Sequence, residues 1–170
     1  SPLWLHGLED PAHQMADWLR VLKPEGGVFF TCFGPDTAKE LHGFAKCLGE
    51  SIPDFADMHD IGDLMSKQGF SDPVMEMEKL TLTYSTPEAL LQDWRAFSGN
   101  FLAGRGKGLV STGRYQQAIQ TLRALKSPES GRIPLTLELV YGHAWKVKRK
   151  PKIDVTSVKI SDIKGRKASK

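Results

Sequence analysis

The chain has 170 residues, 40% of them apolar, which fits one globular domain and excludes a disordered or fibrous class. No stretch approaches the roughly 18 consecutive apolar residues of a membrane span, and the N-terminus lacks the pattern of a signal peptide. The sequence therefore predicts a cytoplasmic protein without membrane association. Cys32 and Cys47 lie far apart and the five histidines show no metal-ligand spacing, so neither a disulfide framework nor a metal site is expected.

The net charge of +3 is unevenly distributed. Residues 1–94 carry 6 basic and 16 acidic side chains, whereas residues 95–132, the basic island, carry 7 and 1. Residues 146–170 carry 10 and 2. Residues 148–170 lack a core-sized apolar cluster and are predicted to form a mobile basic tail. Its lysines predict non-specific attraction to phosphates, but without interleaved aromatic residues no specific nucleic-acid partner is expected.

The first third of the chain predicts a helix and a buried strand. Residues 1–5 form a short apolar run without an initiator methionine, so we expect the chain to begin partway through a strand. Asp10 followed by Pro11 is a favourable helix start, because aspartate caps free amides and proline suits the first helical position. Residues 28–33 are continuously apolar, which is typical of a strand covered on both faces.

The next elements alternate in the same way. Thr37 and Glu40 have the spacing of a capping box at the start of a second helix, and a third helix is predicted to end at Gly69. Residues 74–84 have strand character, but their apolar positions change parity, which predicts a bulge or bend near Lys79.

The last third predicts two helices and a long strand. A helix is expected after Ser85 and a second from Thr112 to Leu125, with a glycine-rich loop between them. Residues 133–147 alternate strictly, so they predict a strand that pairs antiparallel with residues 74–84. We expect residues 1–147 to form the folded unit, with a helical cap at about 86–131.

Several strings in this framework resemble one enzyme family. They are Phe33-Gly34-Pro35-Asp36-Thr37 with Lys39-Glu40-Leu41, Met58-His59-Asp60-Ile61-Gly62-Asp63, Leu80-Thr81-Leu82-Thr83-Tyr84 and Val140-Tyr141-Gly142-His143-Ala144-Trp145. In this order and spacing they resemble the malonyl-acyl-carrier-protein O-methyltransferases of biotin synthesis. The resemblance implies an α/β fold, namely the C-terminal half of a Rossmann-like class I methyltransferase sheet with a helical substrate cap.

The resemblance also implies a reaction and its partners. The family transfers a methyl group from S-adenosylmethionine to the free carboxylate of malonyl-acyl-carrier protein. Because a carboxylate is already a nucleophile, the reaction needs alignment and desolvation rather than a strong base, so no catalytic base is assigned. The family's glycine-rich cofactor loop would lie upstream of Ser1, so the chain alone is predicted to be inactive.

The resemblance places two substrate-binding candidates in the glycine-rich loop. Arg105 follows Asn100 and matches an arginine position of the family, and a guanidinium can hold the malonyl carboxylate through two parallel hydrogen bonds. The alternative is an exposed loop arginine. The basic island that surrounds Arg105 in sequence could dock an acidic carrier protein, or it could be a solvated helix face.

Three further candidates come from the predicted elements. Trp94 could wall a tunnel for the carrier's pantetheine arm, but its spacing from Leu90 and Leu91 is also that of a core stripe. His143 shares a strand face with Trp145, and His6 follows the opening apolar run. Both histidines could line an acyl pocket, and packing is the alternative for each.

Other functions stay open on the sequence. The Gly-x-Gly-x-Gly run from Gly104 does not follow a strand, and the position after Gly104 in a Walker A reading is arginine, so a nucleotide-binding loop is disfavoured. The alternatives within the same architecture are a protein resembling the mitochondrial complex I assembly factor and a non-enzymatic module that binds an acidic partner. The oligomeric state is not indicated by the sequence.

Overall fold

A computed structural model of the chain describes residues 10–98 and 109–147. Its elements are, in order, α1 (Pro11–Val21), β1 (Gly27–Phe33), α2 (His42–Leu48), α3 (Met58–Gln68), β2 (Phe70–Tyr84), α4 (Pro87–Ser98), α5 (Thr112–Arg123) and β3 (Ile133–Lys146). The predicted order of elements is confirmed within these residues. The predicted tail at 148–170 lies outside them.

The helix boundaries follow from local capping. The Asp10 carboxylate accepts a hydrogen bond from the backbone N–H of His13, and Pro11 occupies the first turn of α1, as predicted. Helix α3 ends at Gly69, whose φ of 99° lies in the left-handed region that glycine adopts without steric cost.

The three strands form one sheet in the order β1-β3-β2. Strand β3 runs antiparallel to both neighbours, so β1 and β2 run parallel to each other on either side of it. The predicted pairing of residues 74–84 with β3 is confirmed. The shared register aligns Phe30 and Met75 with Gly142, and residues aligned in this way project from the same face of the sheet.

Helices α1 and α3 cover one face of the sheet near the start of β1. Phe30 and Cys32 of β1 pack with Val140 and Ala144 of β3 in this cluster. From the helices, Met15 and Met65 enter the same cluster and are fully buried. We refer to this side as the first face.

The opposite face, the second face, is covered at the other end of the sheet. There Leu135 and Leu137 of β3 pack with Tyr84 of β2 and with Leu90 of α4. Helices α2 and α5 complete the cluster, and Ile119 of α5 is 2% exposed. Within residues 10–98 and 109–147, each face of the sheet is therefore covered along only part of its length.

The prediction of a bulge or bend near Lys79 is wrong, because the two ends of the sheet are covered on opposite faces. The register is regular from Val74 to Tyr84, and the irregularity lies between Ser71 and Val74. The apolar parity changes because Met75 packs against the first face and Leu82 against the second. Along a straight strand, the buried side chains can therefore change from one face of the sheet to the other without an inserted residue.

The expectation that residues 28–33 are covered on both faces holds only at the end of the run, where Cys32 is buried on the first face and Phe33 on the second. Phe30 and Cys32 are buried on the first face, but Phe29 projects from the second face and is 61% exposed. The covering helices of the second face lie at the other end of the sheet. A continuous apolar run therefore did not distinguish burial on two faces from burial on one.

The predicted capping box is wrong too, because both side chains bond to β3 instead. Thr37 Oγ1 donates to the carbonyl of Glu138 at 3.0 Å and accepts from its N–H at 3.1 Å. The Glu40 carboxylate accepts from the N–H and the hydroxyl of Thr136 at 3.0 and 2.5 Å. Residues 34–41 are thereby held against β3, and a 3-10 turn at Lys39–Leu41 precedes α2.

A close approach at Gly142 gives a stability prediction. A Cβ on Gly142 would lie 2.6 Å from Cε1 of Phe30 and 2.9 Å from Sδ of Met75, whereas a Cβ on Gly113 of α5 meets nothing within 4 Å. We expect Gly142→Ala to lower the free energy of unfolding by about 1–3 kcal/mol, because overpacking forces the neighbours to shift. Gly113→Ala should be neutral or stabilising.

Urea denaturation of the two variants beside the unchanged chain measures this difference. Equal effects of the two substitutions would contradict the packing described around Gly142.

Candidate functional site

A small cavity lies at the carboxyl end of β1, the edge where α/β sheets place their ligands. Its volume is about 190 Å³. Four segments form it: the start of α1, the end of β1, residues 54–56 and the first half of α3. The cavity thus depends on the folded sheet rather than on any one sequence segment.

The walls of the cavity are apolar with an acidic contribution. Met15, Phe33 and Ile61 supply apolar surface, and Asp54 and Asp60 supply the two carboxylates of the lining. No lysine or arginine is among the described residues that line it. This arrangement suits an apolar, uncharged or cationic group and disfavours an anion.

Cys32, the cysteine in the cavity wall, is unreactive. Cys32 is 1% exposed, and burial raises the pKa of its thiol from the ordinary 9.0 to about 12. The thiolate is the reactive form of cysteine, and it is absent near neutral pH at this position. Cys32 therefore contributes packing rather than nucleophilic chemistry.

A polar cluster fixes the loop that follows β1. Lys79 Nζ lies 2.5 Å from Asp36 Oδ2 and 3.8 Å from Glu138 Oε2, and Glu138 Oε2 also accepts from the N–H of Asp36 at 2.9 Å. The hydrogen bond from Lys79, together with the charge of Lys39, lowers the pKa of Asp36. The buried Glu138 carboxylate is thus satisfied by the loop and by β2.

A second concavity of about 330 Å³ lies on the uncovered part of the second face. We call its aromatic side chains, together with Trp145, the aromatic face: Phe29, Tyr141, His143 and Trp145. The ring of His143 stacks on that of Phe29 with centroids 5.4 Å apart, and Trp145 meets Phe29 edge-on at 6.0 Å.

The structure separates the two predicted site residues that it describes. His143 lines the open groove on the second face. Its role in an acyl pocket stays a prediction. Trp94 is 4% exposed and packs in the core with Leu90 and Leu91. The candidates His6, Asn100 and Arg105 lie outside the described residues.

Sequence reasoning missed the cavity at the end of β1. Asp54 and Asp60 gave no signal, because one lies in a polar loop and the other in the first turn of a helix, where acidic residues are common. Cys32 was read as part of an apolar strand. No motif joins the four segments that meet there.

Several arginines of the basic island have structural contacts. Arg114 donates to the carbonyl of Cys47 at 3.3 and 3.1 Å, and Arg132 donates to the hydroxyl and carbonyl of Thr83 at 2.9 and 2.7 Å. These contacts tie α5 to α2 and the start of β3 to the end of β2. The island is therefore at least in part a set of packing contacts.

Within residues 10–98 and 109–147, none of the helices has the length and apolar character needed to cross a membrane. Over the same residues, no group of three or more histidine, cysteine, aspartate or glutamate side chains is arranged to hold a metal ion.

The two cysteines should differ in reactivity. At pH 8 we expect Ellman's reagent to modify the half-buried Cys47 in the folded chain, while Cys32 stays protected because its thiol is buried and protonated. A Cys47→Ser variant should then show no fast reaction, and full reaction of Cys32 should require denaturant. Rapid modification of the Cys47→Ser variant without denaturant would contradict the burial of Cys32.

Comparisons with known proteins identify relatives of the chain. No protein family model matches it. It is 46% identical over 130 residues to a malonyl-[acyl-carrier protein] O-methyltransferase of Gallionella capsiferriformans, an alignment that covers 75% of this chain and 44% of that protein. It is 39% identical over 155 residues to the protein of the same name from Laribacter hongkongensis, covering 89% of this chain and 52% of that one. The chain thus spans about half the length of these relatives.

Solved structures agree on the fold. A protein of Bacillus halodurans that is provisionally described as a methyltransferase matches with a TM-score of 0.52 at 16% identity, over 86% of this chain and 68% of its own. The YcgJ protein of Bacillus subtilis matches with a TM-score of 0.50 at 15% identity, over 85% of this chain and 61% of its own. The predicted α/β, Rossmann-like methyltransferase sheet is confirmed, and so is the predicted resemblance to the malonyl-[acyl-carrier protein] O-methyltransferases, of whose length the chain spans about half.

Proposed function

We propose that this chain is part of an enzyme that transfers a methyl group from S-adenosylmethionine to the free carboxylate of malonyl-acyl-carrier protein, in biotin synthesis. The observation that carries the proposal is the 46% identity over 75% of the chain to a relative of that name. Because the chain spans about half of such relatives, the proposal concerns the whole protein. The chain alone is expected to be inactive.

The cavity at the end of β1 is too small to form a cofactor site by itself. The cavity at the end of β1 measures about 190 Å³, below the roughly 300–1,000 Å³ of typical small-molecule sites. The cofactor supplies the methyl group when it is bound. We infer that its binding residues belong to the part of the family's polypeptide that this chain does not include.

The cavity supports a role in holding uncharged substrate rather than the reacting carboxylate. Asp54 and Asp60 would repel an anion there, while the apolar walls suit a neutral acyl or thioether segment. The malonyl carboxylate must then be held by a cation elsewhere. We assign that role to Arg105, together with Asn100, because the resemblance to the family implies it and a guanidinium holds a carboxylate through two hydrogen bonds.

The carrier protein is proposed to dock on the basic island. Its described members lie on exposed positions of α4 and α5 and of the segments that follow α5, among them Arg95, Arg123 and Lys126. Carrier proteins of this type are acidic, and complementary charge speeds and orients such encounters. Trp94 is buried, so a tunnel role for it would require α4 to move.

A chimaeric protein tests the function. The part of the Gallionella capsiferriformans protein that its alignment with this chain leaves out is fused upstream of this chain. Cofactor binding is measured by calorimetry and methyl transfer with malonyl-acyl-carrier protein. We expect binding and transfer by the chimaera and neither by the chain alone.

Substitutions in the chimaera test the role of Arg105. We expect Arg105→Lys to reduce kcat/KM for malonyl-acyl-carrier protein by about tenfold or more, because the two-point hydrogen bond is lost, with cofactor affinity unchanged. Lys107→Arg in the same glycine-rich loop is the matched control and should keep full activity.

The other outcomes separate the alternatives. Cofactor binding without malonyl transfer would overturn the substrate assignment in favour of a protein like the complex I assembly factor. Carrier binding by the chain without cofactor binding by the chimaera would favour a non-enzymatic binding module. Tight cofactor binding by the chain alone would contradict the location inferred for the cofactor site.

A further inference from the structure

Glu138 is a charged side chain buried in the sheet, where it is 5% exposed. In the described part of the chain three polar or charged side chains are buried, namely Thr37, Thr136 and Glu138. All three take part in one contact, in which β3 holds residues 34–41, the β1 loop. A buried polar group lowers stability unless it is bonded, and a fully bonded network fixes the geometry of its members. The buried polar groups of this core are thus concentrated where the β1 loop meets the sheet.

The β1 loop fits closely around Glu138. The N–H of Gly34 donates to the carbonyl of Glu138 at 2.9 Å, and the N–H of Ala38 donates to the carbonyl of Thr136 at 2.8 Å. Between these two bonds, the Glu138 carboxylate accepts from the N–H of Asp36 at 2.9 Å. A Cβ on Gly34 would lie 2.8 Å from the carboxyl carbon of Glu138, so only glycine lets the backbone pass this close. The Glu138 side chain therefore sets the course of the first half of the loop.

The loop begins at the wall of the cavity at the end of β1. Cys32 and Phe33 line that cavity and directly precede Gly34, whereas Glu138 lies outside the lining. This is the edge at which α/β sheets bind their ligands. A shift of the loop would move the end of β1, because the two are joined by consecutive residues. Glu138 can therefore act on the cavity through Cys32 and Phe33 without touching its occupant.

We propose that Glu138 is a positioning residue for the methyl transfer, which holds the β1 loop so that Cys32 and Phe33 keep the cavity shaped for the uncharged part of the substrate. The inference rests on the proposed function. The negative charge matters for this role, because a carboxylate accepts stronger hydrogen bonds than a neutral amide does. Lys79 offsets that charge, since its ammonium lies 3.8 Å from the Glu138 carboxylate and donates to Asp36.

The Cys32 thiol reports the position of the loop in the chain alone. Glu138→Gln, Glu129→Gln and Gly142→Ala are made in the Cys47→Ser background, so that Cys32 is the one cysteine left. Glu129 is exposed and gives the same chemical change away from the loop, and Gly142→Ala lowers global stability through packing. The rate of Cys32 modification by Ellman's reagent without denaturant is measured beside the unfolding constant from urea denaturation.

We expect Glu138→Gln to raise the Cys32 modification rate by about tenfold more than it raises the unfolding constant, because the loop opens locally when the charged hydrogen bond is weakened. Gly142→Ala should raise both quantities in step, and Glu129→Gln should change neither. A Glu138→Gln variant whose modification rate rises only in step with its unfolding constant would overturn the inference, because this side chain would then not hold the loop.

Steady-state kinetics of the chimaera defined above test the link to the substrate. Glu138→Gln should raise KM for malonyl-acyl-carrier protein by about tenfold and leave kcat and cofactor affinity unchanged, because the cavity binds substrate and transition state alike. Gly142→Ala is the control for a purely structural effect, which lowers kcat through the folded fraction and leaves KM unchanged.

The failure of this inference and that of the proposed function give different results. An active chimaera whose KM is not altered by Glu138→Gln would contradict the positioning role alone. A chimaera of unaltered sequence that binds the cofactor but does not methylate malonyl-acyl-carrier protein would overturn the proposed function and the substrate role of Glu138 together.

Discussion

The antiparallel pairing of β3 with both β1 and β2 is the constraint on which the rest of the structure depends. It brings the end of the chain's described part beside a strand more than 100 residues earlier, so both hydrophobic clusters contain residues of β3. Helices α1 and α3 use one of its faces and α2, α4 and α5 use the other. Without β3, β1 and β2 would not be joined, and neither group of helices would keep a continuous sheet to pack on.

The same strand positions the candidate site. Thr37 and Glu40 bond to the backbone of Glu138 and Thr136, so the loop after β1 follows the course of β3. That loop leaves the carboxyl end of β1 open toward α1 and α3, where the small cavity forms. The acidic and apolar character of the cavity is therefore a consequence of which segments the sheet brings together.

Local signals in the sequence predicted the elements well. Asp10 and Gly69 act through bonds within a few residues of themselves, so their capping roles could be seen in the sequence. The pairing of β2 with β3 followed from their alternating patterns. The α/β class and the resemblance to the family followed from short strings spread over much of the chain. The comparisons confirmed the class and the resemblance.

The wrong predictions concern side chains whose contacts are made with residues distant in the sequence. Thr37 and Glu40 have the spacing of a capping box, but β3 offers them buried backbone partners that no local pattern shows. The parity change in β2 reflects helices on opposite faces, which a strand's own sequence does not distinguish from a bulge. The tunnel role of Trp94 stays a prediction, because its spacing alone does not distinguish a tunnel wall from a core and the side chain packs in the core in this structure.

Hydrogen exchange of the full chain tests the central role of β3 most directly. Because β3 pairs on both sides and lies in both clusters, its amides between residues 135 and 144 should be the slowest to exchange, and those of β2 near Lys79 should exchange faster. Exchange of the β3 amides at the same rate as those of β2 would contradict a fold organised around this strand.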